Sequence, residues 1–256
     1  MKDLIRSIIL WILILTLTVF LSLFILILSI FRAQNWIHNI ATLWGTIIAF
    51  LSGTEIEVVG KEKIYKDGPV VILSNHQSMF DIIIFYSILN IQFRWMAKSS
   101  LFKIPVGGWA MSAAGYIPVE RDDPKKAKKS LFSAAQKIKN GASVILFPEG
   151  TRGKEDGKML PFKKGGFVLA KLAGVTIQPV TIWGANKAIP KQKGKWIQRF
   201  YKTLVQVHIH DPIPPSEVKE MKQEELSNRI RETLETPMSK MKLRQEVEDS
   251  IGVYVN

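Results

Sequence analysis

The chain has 256 residues, room for one sizeable domain and an appendage but not for several domains. Hydrophobic residues make up 47% and charged residues 22%, which excludes disorder as the main state. The lack of cysteine excludes disulfides, thiolate metal sites and a cysteine acyl-enzyme. The net charge of +13 points to a polyanionic partner: nucleic acid, anionic lipid headgroups or a phosphorylated substrate.

Charge and hydropathy are skewed in opposite directions. Residues 1–53 hold Lys2, Asp3, Arg6 and Arg32, a net of +2, and residues 54–256 hold the remaining +11. Residues 7–31 form an uncharged stretch of 25, mostly Leu, Ile, Phe and Val. As a helix it is roughly 37 Å long, enough for a hydrocarbon core of about 30 Å. A cleaved signal peptide has a shorter apolar run and a small-x-small site, which Phe31-Arg32-Ala33-Gln34 does not supply. Membrane insertion is the expectation.

Residues 34–52 are also uncharged. Trp36, Ile37, Ile40, Leu43, Trp44, Ile47, Ile48 and Leu51 fall at helical spacing on one face, with Gln34, Asn35, His38, Asn39 and Thr42 mostly opposite. This predicts a second helix at the interface or shallowly inserted, with His38 on its polar face. Composition changes abruptly at 53–55. Two regions follow: membrane-anchoring helices over 1–53, and a domain over 54–256 expected to carry all the chemistry.

Beyond residue 54, short β-branched runs alternate with helical stretches. Strands are expected at 55–59, 70–73, 93–97, 116–119, 143–147, 177–182 and 204–209. Helices are expected at 79–89, 106–114, 124–139, 162–172 and 216–234, the last continuing to about 248. The fold class is α/β, a mostly parallel central sheet flanked by helices, preceded by the two-helix membrane segment. Loops leaving the carboxyl ends of such strands line the ligand crevice.

The first such loop reads Ser74-Asn75-His76-Gln77-Ser78-Met79-Phe80-Asp81. Histidine is suited to take a proton near neutral pH, and a carboxylate on its other ring nitrogen would fix the tautomer. Ser78-x-x-Asp81 also fits a helix capping box, which alone would account for the aspartate. The second loop reads Pro148-Glu149-Gly150-Thr151-Arg152-Gly153, where glycines allow close backbone approach and Arg152 offers a planar fork for phosphate. Arg121 ends the short strand after Gly115, and Pro179-Val180 lies in an apolar strand.

Together, Asn75-His76-x-x-x-x-Asp81, Gly115 to Arg121, Phe147-Pro148-Glu149-Gly150-Thr151-Arg152 and Pro179-Val180 resemble the four ordered blocks of the glycerolipid acyltransferases. Size and N-terminal anchor resemble the bacterial 1-acylglycerol-3-phosphate acyltransferases. The resemblance covers roughly residues 70–183, and Gln178-Pro179 is a mild variant of the fourth block. It implies transfer of a fatty acyl group from a thioester to the free hydroxyl of lysophosphatidate, giving phosphatidate. His76 would be the general base, oriented by Asp81, with direct attack and no acyl-enzyme. Arg121 and Arg152 would hold the acceptor phosphate, and Glu149, Gly150 and Thr151 would shape that pocket beside Asn75. Lys98, after the strand at 93–97, would be a further phosphate contact, the alternative being a solvated lysine. The acyl donor, on coenzyme A or acyl carrier protein, is a co-substrate, and neither cofactor nor metal is required. The implied setting is the cell membrane, with the catalytic domain on the cytoplasmic face.

Two other readings are open to the sequence. One is an acyltransferase for another acceptor, glycerol 3-phosphate or a lysophospholipid. The other, from charge alone, is a membrane-tethered nucleic-acid-binding protein, but no aromatic-interleaved basic strand or recognition helix supports it. His208, His210 and Asp211 read as a half-exposed strand end rather than a metal site. Lys125, Lys126, Lys128 and Lys129 form a basic cluster suited to anionic lipid, an acidic carrier protein or coenzyme phosphates.

Overall fold

The computed structural model describes residues 2–31, 33–120, 123–153, 157–191 and 198–252. Seven strands form one sheet: β1 (Glu55–Val59), β2 (Val70–Ser74), β3 (Phe93–Lys98), β4 (Ile117–Val119), β5 (Ser143–Leu146), β6 (Thr176–Trp183) and β7 (Leu204–Ile209). Their order is β1-β7-β6-β2-β5-β3-β4. Every pairing is parallel except β6 with β7, so β1 and β7 run against the other five.

Ten α-helices and two short 3-10 helices, Lys61–Lys63 and Ser99–Lys103, complete the elements of the described residues: α1 (Lys2–Ser29), α2 (Gln34–Ser52), α3 (Phe80–Ile88), α4 (Gly107–Ala113), α5 (Pro124–Lys139), α6 (Gly165–Ala173), α7 (Ala185–Ala188), α8 (Pro215–Glu220), α9 (Gln223–Glu235) and α10 (Met238–Ser250). The expected helix over 216–234 and beyond is instead three. Met221 and Lys222 adopt extended backbone, ending α8, and Pro237, which has no N–H for a helical bond, separates α9 from α10.

Alternation along β2 splits the interior in two. Val70 and Ile72 face a core built with α1, α2, α3 and α7, while Val71 and Leu73 face a second core built with α5, α6, α8 and α9. All five β2 residues are buried, which is why the run is apolar without a break.

α1 is apolar on all sides, and Leu4–Ser29 is long enough to cross a membrane by length and composition. One seam of it is buried, at Ser7, Leu10, Ile14, Ser22 and Ile25, while Ile5, Ile12, Phe20 and Ile27 stay exposed. Polar bonds fix the seam: Trp11 Nε1 donates to the Gln198 carbonyl at 2.6 Å, Phe200 N to Ser7 Oγ at 2.9 Å, and Trp44 Nε1 to Thr18 Oγ1 at 2.9 Å. The guanidinium of Arg6 also reaches the carbonyl of Ser52. α2 lies against α3 so closely that a Cβ on Gly45 would stand 2.4 Å from Tyr86 Cβ. His38 is not on a polar face. It is buried in this seam, edge-on to Phe93 at 4.5 Å with Nε2 3.3 Å from the Ile91 carbonyl.

Candidate active site

β2 and β5 are hydrogen-bonded neighbours and run in the same direction, so the loops following them emerge side by side. The β2 loop carries His76, and the β5 loop carries residues 147–153. β2 leads by α3 to β3 on one side, and β5 leads by α6 to β6 on the other. The two connections run in opposite directions on opposite faces of the sheet, α3 in one core and α6 in the other, and both loops lie at the carboxyl edge, where ligands of such sheets bind.

His76 Nδ1 lies 2.6 Å from Asp81 Oδ2. The carboxylate can only accept, so Nδ1 carries the proton and Nε2 is left as the basic nitrogen. Asp81 is fully buried, and its Oδ2 also accepts from Gln77 N at 2.7 Å and Ser78 N at 2.9 Å. Asp81 thus partners the histidine and ties down the turn ahead of α3, while the N-cap of α3, Met79, makes no side-chain cap bond. The imidazole stacks on Phe147, with centroids 4.0 Å apart and planes 8° from parallel. About a sixth of the His76 side chain stays accessible, with a relative exposure of 17%.

The backbone of His76 is held as tightly as its ring. Its N–H donates to Glu149 Oε1 at 2.8 Å, and its carbonyl accepts from Gly153 N at 2.7 Å. Glu149 Oε2 accepts from Leu160 N at 2.7 Å. Burial pushes the Glu149 carboxyl upward, and the bonds from Leu160 N and His76 N oppose that push.

The other expected residues divide by role. Asn75 is buried and its amide is taken up by Ile182: Nδ2 donates to the carbonyl and Oδ1 accepts from the N–H, both at 2.8 Å. It ties the loop to β6. Gly150 has φ +70°, a left-handed turn that favours glycine, and Thr151 is exposed at the loop tip. Arg152 is half-buried, with one guanidinium nitrogen sealed from solvent and lacking a protein partner among the described residues. Lys98 ends β3 exposed, in register with Val119 of β4. Arg121 lies outside the described residues.

Lys163 escaped the sequence reading, and Phe147 and Gly153, though quoted in the motif loop, take roles beside His76 that it did not assign. Phe147 shelters the imidazole, Gly153 grips its backbone, and Lys163 stretches over Gly150, where a Cβ would meet its Cδ and Cε at 2.9 Å. Lys163 is anchored by its own N–H to the Pro148 carbonyl at 2.8 Å. Its only sequence signal is a lysine pair just before a Gly-Gly helix start. His208 and His210 stack at 4.6 Å on β7, and His210 Nε2 is 2.9 Å from Thr181 Oγ1. Among the described residues no group of three or more His, Asp or Glu could hold a metal ion.

Residues 55–183 match the family model described as Acyltransferase. The chloroplastic 1-acyl-sn-glycerol-3-phosphate acyltransferase BAT2 of Brassica napus is 36% identical over 214 residues, 82% of this chain and 59% of that protein. The 1-acyl-sn-glycerol-3-phosphate acyltransferase of Borreliella burgdorferi is 31% identical over 197 residues, 77% of each. The chain spans about half to three-fifths of the plant and algal relatives it matches. The crystal structure of the 1-acyl-sn-glycerophosphate acyltransferase from Thermotoga maritima is similar with a TM-score of 0.80 and 29% identity, over 94% of this chain and 96% of that one. The matched stretch takes in half the chain, from β1 to the end of β6, and contains the whole His76–Asp81 and Glu149–Arg152 constellation, so the protein belongs to the acyltransferase family.

Proposed function

We propose that the protein transfers a fatty acyl group from an acyl thioester to the free hydroxyl of 1-acylglycerol 3-phosphate, giving phosphatidate. The observation that carries this reading is the dyad: an imidazole with Nδ1 held by a buried carboxylate, which leaves Nε2 as the base, beside a loop whose arginine has a buried nitrogen without a partner among the described residues. Nε2 takes the proton of the acceptor hydroxyl as its oxygen attacks the thioester carbonyl. The C–S bond then breaks, and the leaving thiolate recovers the proton from the imidazolium. A direct transfer needs no protein nucleophile, in keeping with the absence of cysteine. Arg152, Lys98 and Arg121 supply cations for the acceptor phosphate. The donor is an acyl-coenzyme A or an acyl carrier protein thioester, and the reaction requires no cofactor.

The membrane partner follows from α1. The start of α1 is bonded to residues 198–200, and it also packs on α4. Gly115, just past α4, lies against Gln34 at the far end of the helix pair. A helix docked to one domain along its length does not leave that domain wholly on one side of a bilayer it crosses upright. We therefore infer that α1 and α2 lie in one leaflet with the exposed apolar face in lipid, on the cytoplasmic side of the cell membrane. Acceptor and product both reside there.

The test is an assay of purified full-length protein in detergent with lysophosphatidate and labelled acyl donors on coenzyme A and on carrier protein. Phosphatidate formed from either donor supports the reading. Acylation of glycerol 3-phosphate or a neutral lysolipid in preference to lysophosphatidate would replace it with another acceptor.

A further inference from the structure

Glu149 lies in the loop with Arg152, where an acidic residue has no evident business beside a phosphate. Its carboxylate would repel the acceptor if it faced the crevice. It does not face the crevice. Glu149 is 3% exposed, and each of its oxygens accepts a backbone N–H, Oε1 from His76 and Oε2 from Leu160. Three chain segments therefore meet on one side chain: the β2 loop, the β5 loop and the stretch ahead of α6.

Gly153 closes the clip. Its N–H donates to the His76 carbonyl at 2.7 Å, and a Cβ there would lie 3.3 Å from Glu149 Oε2 and 3.4 Å from the His76 carbonyl oxygen. Glu149 and Gly153 thus grip the two sides of one peptide residue, and Arg152 sits between them in sequence. The far side is braced as well: the Leu160 carbonyl accepts from Arg231 of α9, whose guanidinium lies 4.4 Å from the Phe162 ring centroid. A loop held only by its own turn would let His76 and Arg152 drift relative to each other, and a misplacement of about 1 Å can cost on the order of a hundredfold in rate.

We propose that Glu149 is a positioning residue that acts through His76: its carboxylate locks the backbone of the base to the loop carrying Arg152, fixing the separation between proton acceptor and phosphate clamp. This rests on His76 being the general base. Glu149 itself does not touch the acceptor. Glutamine is the informative replacement. It keeps the size and one acceptor but sets an NH2 against one of the two N–H donors, so one side of the clip must open.

The experiment compares Glu149→Gln, Glu149→Asp, Arg152→Ala and His76→Ala with the parent, using lysophosphatidate and a neutral lysolipid as acceptors. Glu149→Gln should lower kcat about a hundredfold with KM for lysophosphatidate changed less than about threefold, and by the same factor on the neutral acceptor. Glu149→Asp keeps the charge but not the reach, and should fall between the parent and Glu149→Gln. If Glu149→Gln does not fold, Glu149→Asp carries the same test of kcat against KM. A raised KM confined to the phosphate acceptor, as expected for Arg152→Ala, would make Glu149 a substrate ligand and overturn the proposal. An unchanged kcat in a folded variant would overturn it too. If His76→Ala stays active, the base assignment itself has failed, which the Glu149 variants alone would not show.

Discussion

Asp81 holds His76 through the same oxygen that ties down the turn ahead of α3: Oδ2 is 2.6 Å from His76 Nδ1 and 2.9 Å from Ser78 N. The two roles separate by substitution. Asp81→Asn keeps a carbonyl oxygen for the N–H groups but no longer selects the Nδ1–H tautomer, so rate should fall far more than melting temperature. His76→Ala should remove about a hundred- to ten-thousand-fold of rate while leaving the domain folded. Asp81→Ala should lose the bonds from Gln77 N and Ser78 N as well, costing about 1 kcal/mol or more in denaturant unfolding. An Asp81→Asn protein that melts early but turns over normally would reduce the aspartate to a tie for that turn.

Arg152 is a cation whose surroundings ask for an anion, since one of its nitrogens is sealed from water and has no acceptor among the described residues. Such an orphan donor is costly unless a ligand completes it. Arg152→Ala should raise KM for a phosphomonoester acceptor more than tenfold, at about 1.5–3 kcal/mol for a charge-assisted bond, and change a neutral lysolipid much less. Lys98→Ala should act in the same direction but more weakly, because the exposed ammonium is better solvated without its partner. Equal losses on both acceptors would remove the phosphate clamp.

The sheet was legible because each strand writes its burial into its composition. β1 and β7 were placed with the observed ends, and α5 likewise, where Asp123 accepts from Lys125 N and Lys126 N and Pro124 starts the helix. The break between α8 and α9 is illegible because Met221 and Lys222 are ordinary helix formers and only their backbone angles interrupt the period, whereas Pro237, which ends α9, is a stop the sequence does carry. At the site, residue types gave the dyad and the arginine. They could not give Glu149 or Asn75 their partners, because those bonds run to backbone groups of His76, Leu160 and Ile182, which any sequence supplies. The placement of His38 failed for a related reason: α2 is buried where it meets α3, and no periodicity within α2 announces that neighbour.

His210 offers a pH test away from the site. Burial chiefly, then the neighbouring His208 and Lys63, lowers it from 6.5 to about 4, with Asp211 opposing. A depressed value means the unfolded chain takes up the proton first. The stability this group contributes is present above about pH 6.5 and is lost as pH falls toward 4. Urea midpoints of the parent should therefore drop through that window, and His210→Gln should flatten the slope there. Parallel slopes in the two proteins would count against this origin.

The last prediction concerns what the N-terminal helices are for. Read from sequence, residues 1–53 only deliver the chemistry to the leaflet, so their removal should spare activity on a dispersed acceptor. The structure gives them a second task. Ile37, Ile48 and Ala49 of α2 are buried in one core with Phe80, Ile84 and Phe85 of α3, the helix whose first turn holds Asp81. Deleting residues 1–53 strips that cover and leaves a large apolar face on the helix that positions the base, so the truncated chain should aggregate or lose its cooperative transition. A full-length probe avoids that ambiguity. Gly45→Ala leaves the lipid-facing surface of α1 intact but drives a Cβ to 2.4 Å from Tyr86 Cβ, where neither helix backbone yields easily. Overpacking of this kind costs about 1–3 kcal/mol. The variant should still float with liposomes at high salt, melt several degrees lower, and lose activity on bilayer-embedded and dispersed short-chain acceptors alike. Full activity of Gly45→Ala on the dispersed acceptor, with unchanged melting, would return α1 and α2 to the status of an anchor.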